Sequence, residues 1–116
     1  VQAIEVLKAN GSAVDGASAA TTVLEDSVLT NAGLGSNLTW DGEVECDASV
    51  MDGTSLTYGA VGAVSGVRNP VLLARAICES QTKPLSLDRI PPWLVFCLKF
   101  CLCVIFFFFF FFFFDS

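Results

Sequence analysis

The run from Leu24 to Gly53, LEDSVLTNAGLGSNLTWDGEVECDASVMDG, sets the tightest limits on what this chain can fold into, because a bend-rich loop, a strand pattern and a turn follow one another within it. Asn31-Ala32-Gly33 and Gly35-Ser36-Asn37 place small, left-handed-tolerant residues where a backbone must bend sharply or admit a close neighbour, so the loop can carry a site. Beyond it Val44, Cys46, Ala48 and Val50 alternate with Glu43, Glu45, Asp47 and Ser49, the period of a half-buried strand. Asp52-Gly53 then reads as a hairpin turn.

The flanking sequence predicts an ααββα order. Ala3, Ile4 and Leu7 form one helical stripe over 2–9, with Asn10-Gly11 as its stop. Ser12 and Asp15 resemble a capping box, and Val14, Ala17, Ala20, Thr21 and Leu24 recur at helical spacing to about Glu25. Leu56 to Ser65 is the expected hairpin partner, and its Gly59, Ala60, Gly62 and Ala63 allow a helix layer to pack unusually close. Asn69 as N-cap and Pro70 at N1 open a third helix with Val71, Ala74, Ile77 and Cys78 as its buried stripe. Arg75 and Glu79 stand one turn apart on its face and can pair weakly.

Composition narrows the function classes. The 116 residues carry a formal charge of −6, and within residues 1–92 eleven acidic residues face only Lys8, Arg68, Arg75, Lys83 and Arg89, which argues against nucleic-acid binding. Five cysteines (46, 78, 97, 101, 103) are an odd number, and only Cys46 and Cys78 fall in the foldable part, so a disulfide framework is not indicated and a reducing compartment fits better. Cys97, Cys101 and Cys103 suggest a metal cluster, but without histidine or a CxxC pair they read better as apolar filler. Asn10-Gly11-Ser12 and Asn37-Leu38-Thr39 match the glycosylation pattern, but the chain opens directly on a helix with no secretory signal ahead of it, so both read as chance matches.

Residues 1–92 and 93–116 are expected to be different objects. Trp93 to Phe114 is a 22-residue apolar stretch broken only by Lys99 and ending in nine consecutive Phe, long enough to cross a bilayer as a tail anchor facing the cytosol. The preferred reading is translated non-coding sequence, since a thymine-rich tract yields such a homopolymer; if made, the run is an aggregation hazard.

The runs TNAGLGSNL, ECDASVMDG and GAVGAVSGVRNPVLLAR fall in an order that resembles the asparaginase-like branch of the N-terminal nucleophile hydrolases, over about residues 1–92. Within it, LEDS, GSNL, GEVECDAS and LSLDRIPP look most like the threonine aspartase (taspase) group. The resemblance implies an α/β fold, a four-layer αββα sandwich of which ααββα is one half, with a Gly-turn-bearing strand expected upstream of residue 1. Half a sandwich leaves an apolar sheet face uncovered, so residues 1–92 alone are expected to be unstable or to associate.

The chemistry implied is hydrolysis by a threonine that self-cleavage places at a new N-terminus. Thr21, Thr22, Thr30, Thr39, Thr54, Thr57 and Thr82 all precede the family's cut and none lies in its Gly-Thr-Val context, while Asp52-Gly53-Thr54 reads as hairpin rather than cleavage site. The catalytic nucleophile is therefore expected to be absent. By resemblance Asn31 offers an amide N–H to the reacting oxygen or a bound anion; as a bare residue it reads equally as an Asx-turn former. Related asparaginases bind a structural sodium ion through main-chain carbonyls, here those of Leu24, Glu25, Ser27, Thr30, Ala32 and Leu34, although Val28 and Thr30 stand where the family often has Pro and Phe. Glu43, Glu45 and Asp47 form a solvated or interface face rather than paired acids. No other cofactor is implied.

The complete protein is thus expected to be a homodimer in cytoplasm or nucleus that cleaves protein substrates after aspartate, and this chain to be inactive. The competing readings are an asparaginase/β-aspartyl peptidase, an interaction fragment that pairs with a complete family member, and a tail-anchored membrane protein.

Overall fold

A computed structural model describes residues 2–83 and 85–96. Helix α1 (Gln2–Lys8) ends where Asn10 takes φ 63° and the Gly11 and Asn10 amides donate to Val6 O and Leu7 O at 3.0 and 3.1 Å, the paired bonds that close a helix around one left-handed residue. Helix α2 (Ala13–Glu25) starts on the expected capping box: Ser12 Oγ accepts from Asp15 N at 3.1 Å, and Asp15 Oδ2 accepts from Ser12 N at 2.8 Å.

Strand β1 (Cys46–Met51) pairs antiparallel with β2 (Tyr58–Val64), and its half-buried Cys46, Ala48 and Val50 alternate with exposed Asp47, Ser49 and Met51 as the sequence requires. The hairpin connection falls at Asp52-Gly53 as expected and runs on to Thr57, since β2 starts at Tyr58 rather than Leu56. Asp52 N donates to Thr57 O at 2.9 Å across the loop, whose return runs through Leu56 at φ 57°. Inside it Asp52 accepts from Thr54 N at 3.0 Å and Ser55 Oγ at 2.6 Å, so the aspartate side chain organises a wider loop than Asp-Gly alone would close. The ladder also bulges between Cys46 and Ala48, where Ala63 sits at φ 51° and donates its amide to Asp47 Oδ1 at 2.8 Å. Asp47, expected in a solvated acidic row, thus completes the backbone hydrogen bonding of the bulge.

Helix α3 (Pro70–Ser80) lies across β1 and β2, with α2 beside it and α1 packed on α2. Its predicted stripe is the one buried: Val71, Ala74, Ile77 and Cys78 close against Val61 and Val64. Gly59 makes this approach possible, because a Cβ there would stand 2.1 Å from Ala74 O and 2.4 Å from Cys78 N. In α2 the expected stripe does not hold. Gly16, Ser18 and Glu25 are buried while Ala17, Ala20 and Leu24 are exposed, because small and polar side chains, not apolar ones, face α1 and the start of α3.

The sheet crosses the boundary drawn after Pro92. Ala60 N donates to Trp93 O at 2.9 Å, and Leu94–Phe96 form β3, parallel to β2, which extends the expected ααββα order by a strand. The described residues therefore make a mixed α/β domain with one three-stranded sheet, order β1-β2-β3, and helices on it; a second sheet of a four-layer sandwich is not among them. The Phe run, Lys99 and the cysteines at 97, 101 and 103 lie outside the described residues. Among the described residues no helix is long and apolar enough to cross a membrane.

Candidate functional site

The loop between α2 and β1 carries the predicted site residues, and two ties at the end of α2 fix where it begins. Glu25 is 4% exposed, and its Oε1 accepts from Val71 N at 3.0 Å, so a carboxylate from α2 caps the positive end of α3. Asn69 occupies the N-cap position as expected but makes no capping bond. Its Nδ2 donates instead to Asp26 Oδ1 at 3.2 Å, beside a two-pronged Arg68 contact to the same carboxylate at 3.1 and 3.3 Å. These hydrogen bonds, Arg68 first and then Asn69, hold Asp26 below its ordinary carboxylate pKa. Sequence reasoning assigned Glu25 only a carbonyl role. A carboxylate on the inward face of an otherwise small-residue helix was the available signal for its side chain.

Within the loop the Thr30 hydroxyl lies between two main-chain oxygens. Its Oγ1 contacts both Leu24 O, closely, and Ser27 O at 3.1 Å. The Gly33–Gly35 turn follows, with Gly33 at φ 53°, where a Cβ would meet Glu25 O at 2.4 Å. At Gly35 a Cβ would meet Thr30 O at 2.3 Å and Ser27 O at 2.8 Å, so this loop closes only around glycine. Ala32 O accepts from Gly35 N at 3.2 Å, and Leu34 stands exposed in the turn.

Of the six carbonyls expected to hold sodium, those of Leu24 and Ser27 converge on the Thr30 hydroxyl, so the set does not leave a free cage for a cation. Leu24 O already receives the Ser27 amide at 3.2 Å and the Thr30 hydroxyl, which fills both its lone pairs, and Ser27 O and Ala32 O are engaged as well.

Asn31 ties the loop across six residues: its Oδ1 accepts from Asn37 N at 2.8 Å. An amide N–H can only meet the oxygen, so the other side-chain atom is Nδ2, a donor pair left on an exposed residue. The tie holds the loop, the role read equally for the bare residue, but it reaches Asn37 six positions on rather than closing an Asx turn. After Asn37, Leu38 bridges Val44, and Thr39 and Glu43 close a small hairpin through Thr39 N to Glu43 O at 2.8 Å, presenting Trp40 fully exposed at its tip. Ser36 Oγ stands 3.3 Å from Cys46 Sγ, which joins the loop to β1; Cys46 and Cys78 are both free thiols.

The threonines are spread over the fold rather than gathered at a site. Thr21 and Thr22 hydroxyls bond back to Ala17 O and Ser18 O, Thr57 meets Cys78, Thr82 donates to Glu79 O, and Thr54 lies in the hairpin loop. A cleft of about 420 Å³ opens between α2 and the hairpin, lined by Ala17, Ser18, Thr21, Ser49, Met51 and Thr54, away from Asn31. Among the described residues no group of three His, Cys, Asp or Glu can hold a metal ion.

Comparison with known proteins gives this loop a family. Residues 1–88 match the family described as asparaginase. The isoaspartyl peptidase/L-asparaginase of Rattus norvegicus is 54% identical over 74 residues, 64% of this chain and 22% of its own. The human protein of that name is 51% identical over 84 residues, 72% of this chain and 27% of its own. The plant-type L-asparaginase of Pyrococcus furiosus is 52% identical over 79 residues, 68% and 26% of the two chains. This chain spans about a quarter of the length of these relatives. Their names favour the asparaginase and isoaspartyl peptidase group over the threonine aspartase group to which the sequence motifs lean. With the family match running from residue 1 to 88, the chain belongs to the asparaginase family.

Proposed function

We propose that this chain is the scaffold side of a hydrolase that opens the side-chain amide of L-asparagine or an isoaspartyl peptide bond. The observation that carries the reading is identity above one half, over 74 to 84 residues, to proteins named for those activities. In that reading α2 and α3 are one outer layer of the four-layer sandwich, and the sheet receives a second sheet on the face that carries Asp47, Ser49 and Met51. Asn31, fixed through its oxygen by Asn37, turns its amide donors toward the oxygen on which negative charge develops. Cleavage after aspartate in protein substrates, the preference drawn from the motifs, has less support because the relatives above carry other names.

The chain by itself supplies no nucleophile in this mechanism. None of its threonines lies in the Gly-Thr-Val context, and the hydroxyls of Thr21, Thr22, Thr30 and Thr82 are held by carbonyl oxygens of their own backbone.

A chimera tests the proposal. Residues 1–88 replace the matching segment of the human relative, and the product is assayed on β-aspartyl-leucine, on L-asparagine and on a peptide with an internal aspartate. Hydrolysis of the first two, with the 116-residue chain silent on all three, is the expected result. Cleavage of the aspartate peptide alone overturns it.

A further inference from the structure

We infer that Thr30 is the internal fastener of the α2–β1 loop and that it fills the place where the family resemblance puts a sodium ion. A main-chain cation site works by giving converging carbonyl oxygens a shared positive partner. Here the oxygens of Leu24 and Ser27 converge on one hydroxyl, whose single proton lies between them, and the Thr30 carbonyl itself is turned against Gly35, within 2.3 Å of where a Cβ would be. Leu24 O holds the Ser27 amide in addition, so it has no lone pair left for an ion. A side chain at position 30 without a hydroxyl removes that donor and leaves two oxygens facing each other, the arrangement that attracts a cation.

Loop order in this chain is therefore independent of sodium, and a change at position 30 makes it dependent. The inference concerns the loop alone and stands whichever substrate the complete protein takes. The experiment uses the full chain and compares sodium chloride with tetramethylammonium chloride at equal ionic strength, reading ²³Na line width and amide hydrogen exchange at Ser27, Gly35 and Asn37. For the unaltered chain, no line broadening and equal protection in the two salts are expected. Thr30→Val lowers protection at these amides about three- to tenfold, the range that one hydrogen bond supports, and sodium restores part of it; Thr30→Ser, which keeps the hydroxyl, behaves as the unaltered chain. Saturable ²³Na broadening in the unaltered chain, or sodium-dependent protection of its loop, overturns the assignment. So does Thr30→Val with full protection, or Thr30→Ser without it. Should Thr30→Val not fold, the unaltered chain and Thr30→Ser still decide.

Discussion

At the scale of single residues, Glu25 and Asn31 show how one side chain serves two elements. Glu25→Ala leaves the buried Val71 amide without an acceptor, so it is expected to cost about 2 to 3 kcal/mol in urea unfolding, near the upper end for an unsatisfied buried donor. Glu25→Gln keeps an oxygen for that amide and should cost less than about 1 kcal/mol. At Asn31 the two atoms of the side chain are separable. Asn31→Asp retains the oxygen that Asn37 uses and loses the donor, so in the chimera stability should change by less than about 1 kcal/mol while kcat falls roughly a hundredfold. Asn31→Ala removes both, and should lower stability and rate together. The bend at Asn31 was legible in the sequence because an asparagine among glycines marks one; that its oxygen reaches Asn37 was not, since the partner is a backbone amide that any residue supplies.

Among the elements, those whose burial follows their apolar pattern were legible and those built on polar contacts were not. β1 alternates and α3 buries its periodic stripe, as their residues require. α2 does otherwise, because its inward face is made of Gly16, Ser18 and Glu25, and hydrophobic periodicity is blind to a helix held by caps and ion pairs. The Arg75 guanidinium shows the same thing: it joins Glu79 one turn on, as the spacing predicted, and also reaches Asp15 at the start of α2. Strand β3 was missed because Leu94–Phe96 sits inside a uniformly apolar run without any alternation to read. The tight approach of α3 to β2 at Gly59 gives the prediction at this scale. Gly59→Ala forces α3 away from β2 and is expected to destabilise by about 3 kcal/mol, with loss of near-ultraviolet circular dichroism before loss of helix signal. The same change at Gly53, where a Cβ meets nothing within 4 Å, should be close to neutral.

For the molecule as a whole, charge and exposed apolar surface set the behaviour in solution. Asp15, Asp26 and Asp52 all have pKa values below their ordinary 3.8, held there chiefly by the Ser12 backbone amide, by Arg68 and by the Ser55 hydroxyl respectively. A carboxylate depressed in the folded state stabilises above its unfolded pKa and loses that contribution as pH falls through the folded value. Thermal midpoints should hold from pH 6 to about 4 and drop below 3.8, and Asp26→Asn should flatten part of the drop. The α2–β1 region exposes Leu24, Val28, Leu29, Leu34, Leu38 and Trp40 in one stretch of chain, apolar side chains of the kind that favour association. Sedimentation should show concentration-dependent oligomers that a Leu29→Ser, Trp40→Ser double variant reduces. The candidate loop was only half legible, because its bends are local but its anchors are not: Glu25 and Asp26 hold partners 42 to 46 positions away. That separation fixes an order of events during folding. Glycines and Thr30 can shape the loop as soon as it is made, yet its root becomes firm only when the start of α3 arrives and closes a long chain segment, a slow step with a high entropic barrier. The local Asn31–Asn37 tie can form with the loop, but the seating of the whole loop on the fold waits on α3, so a change that delays docking of α3 is expected to delay that seating even where the loop is untouched.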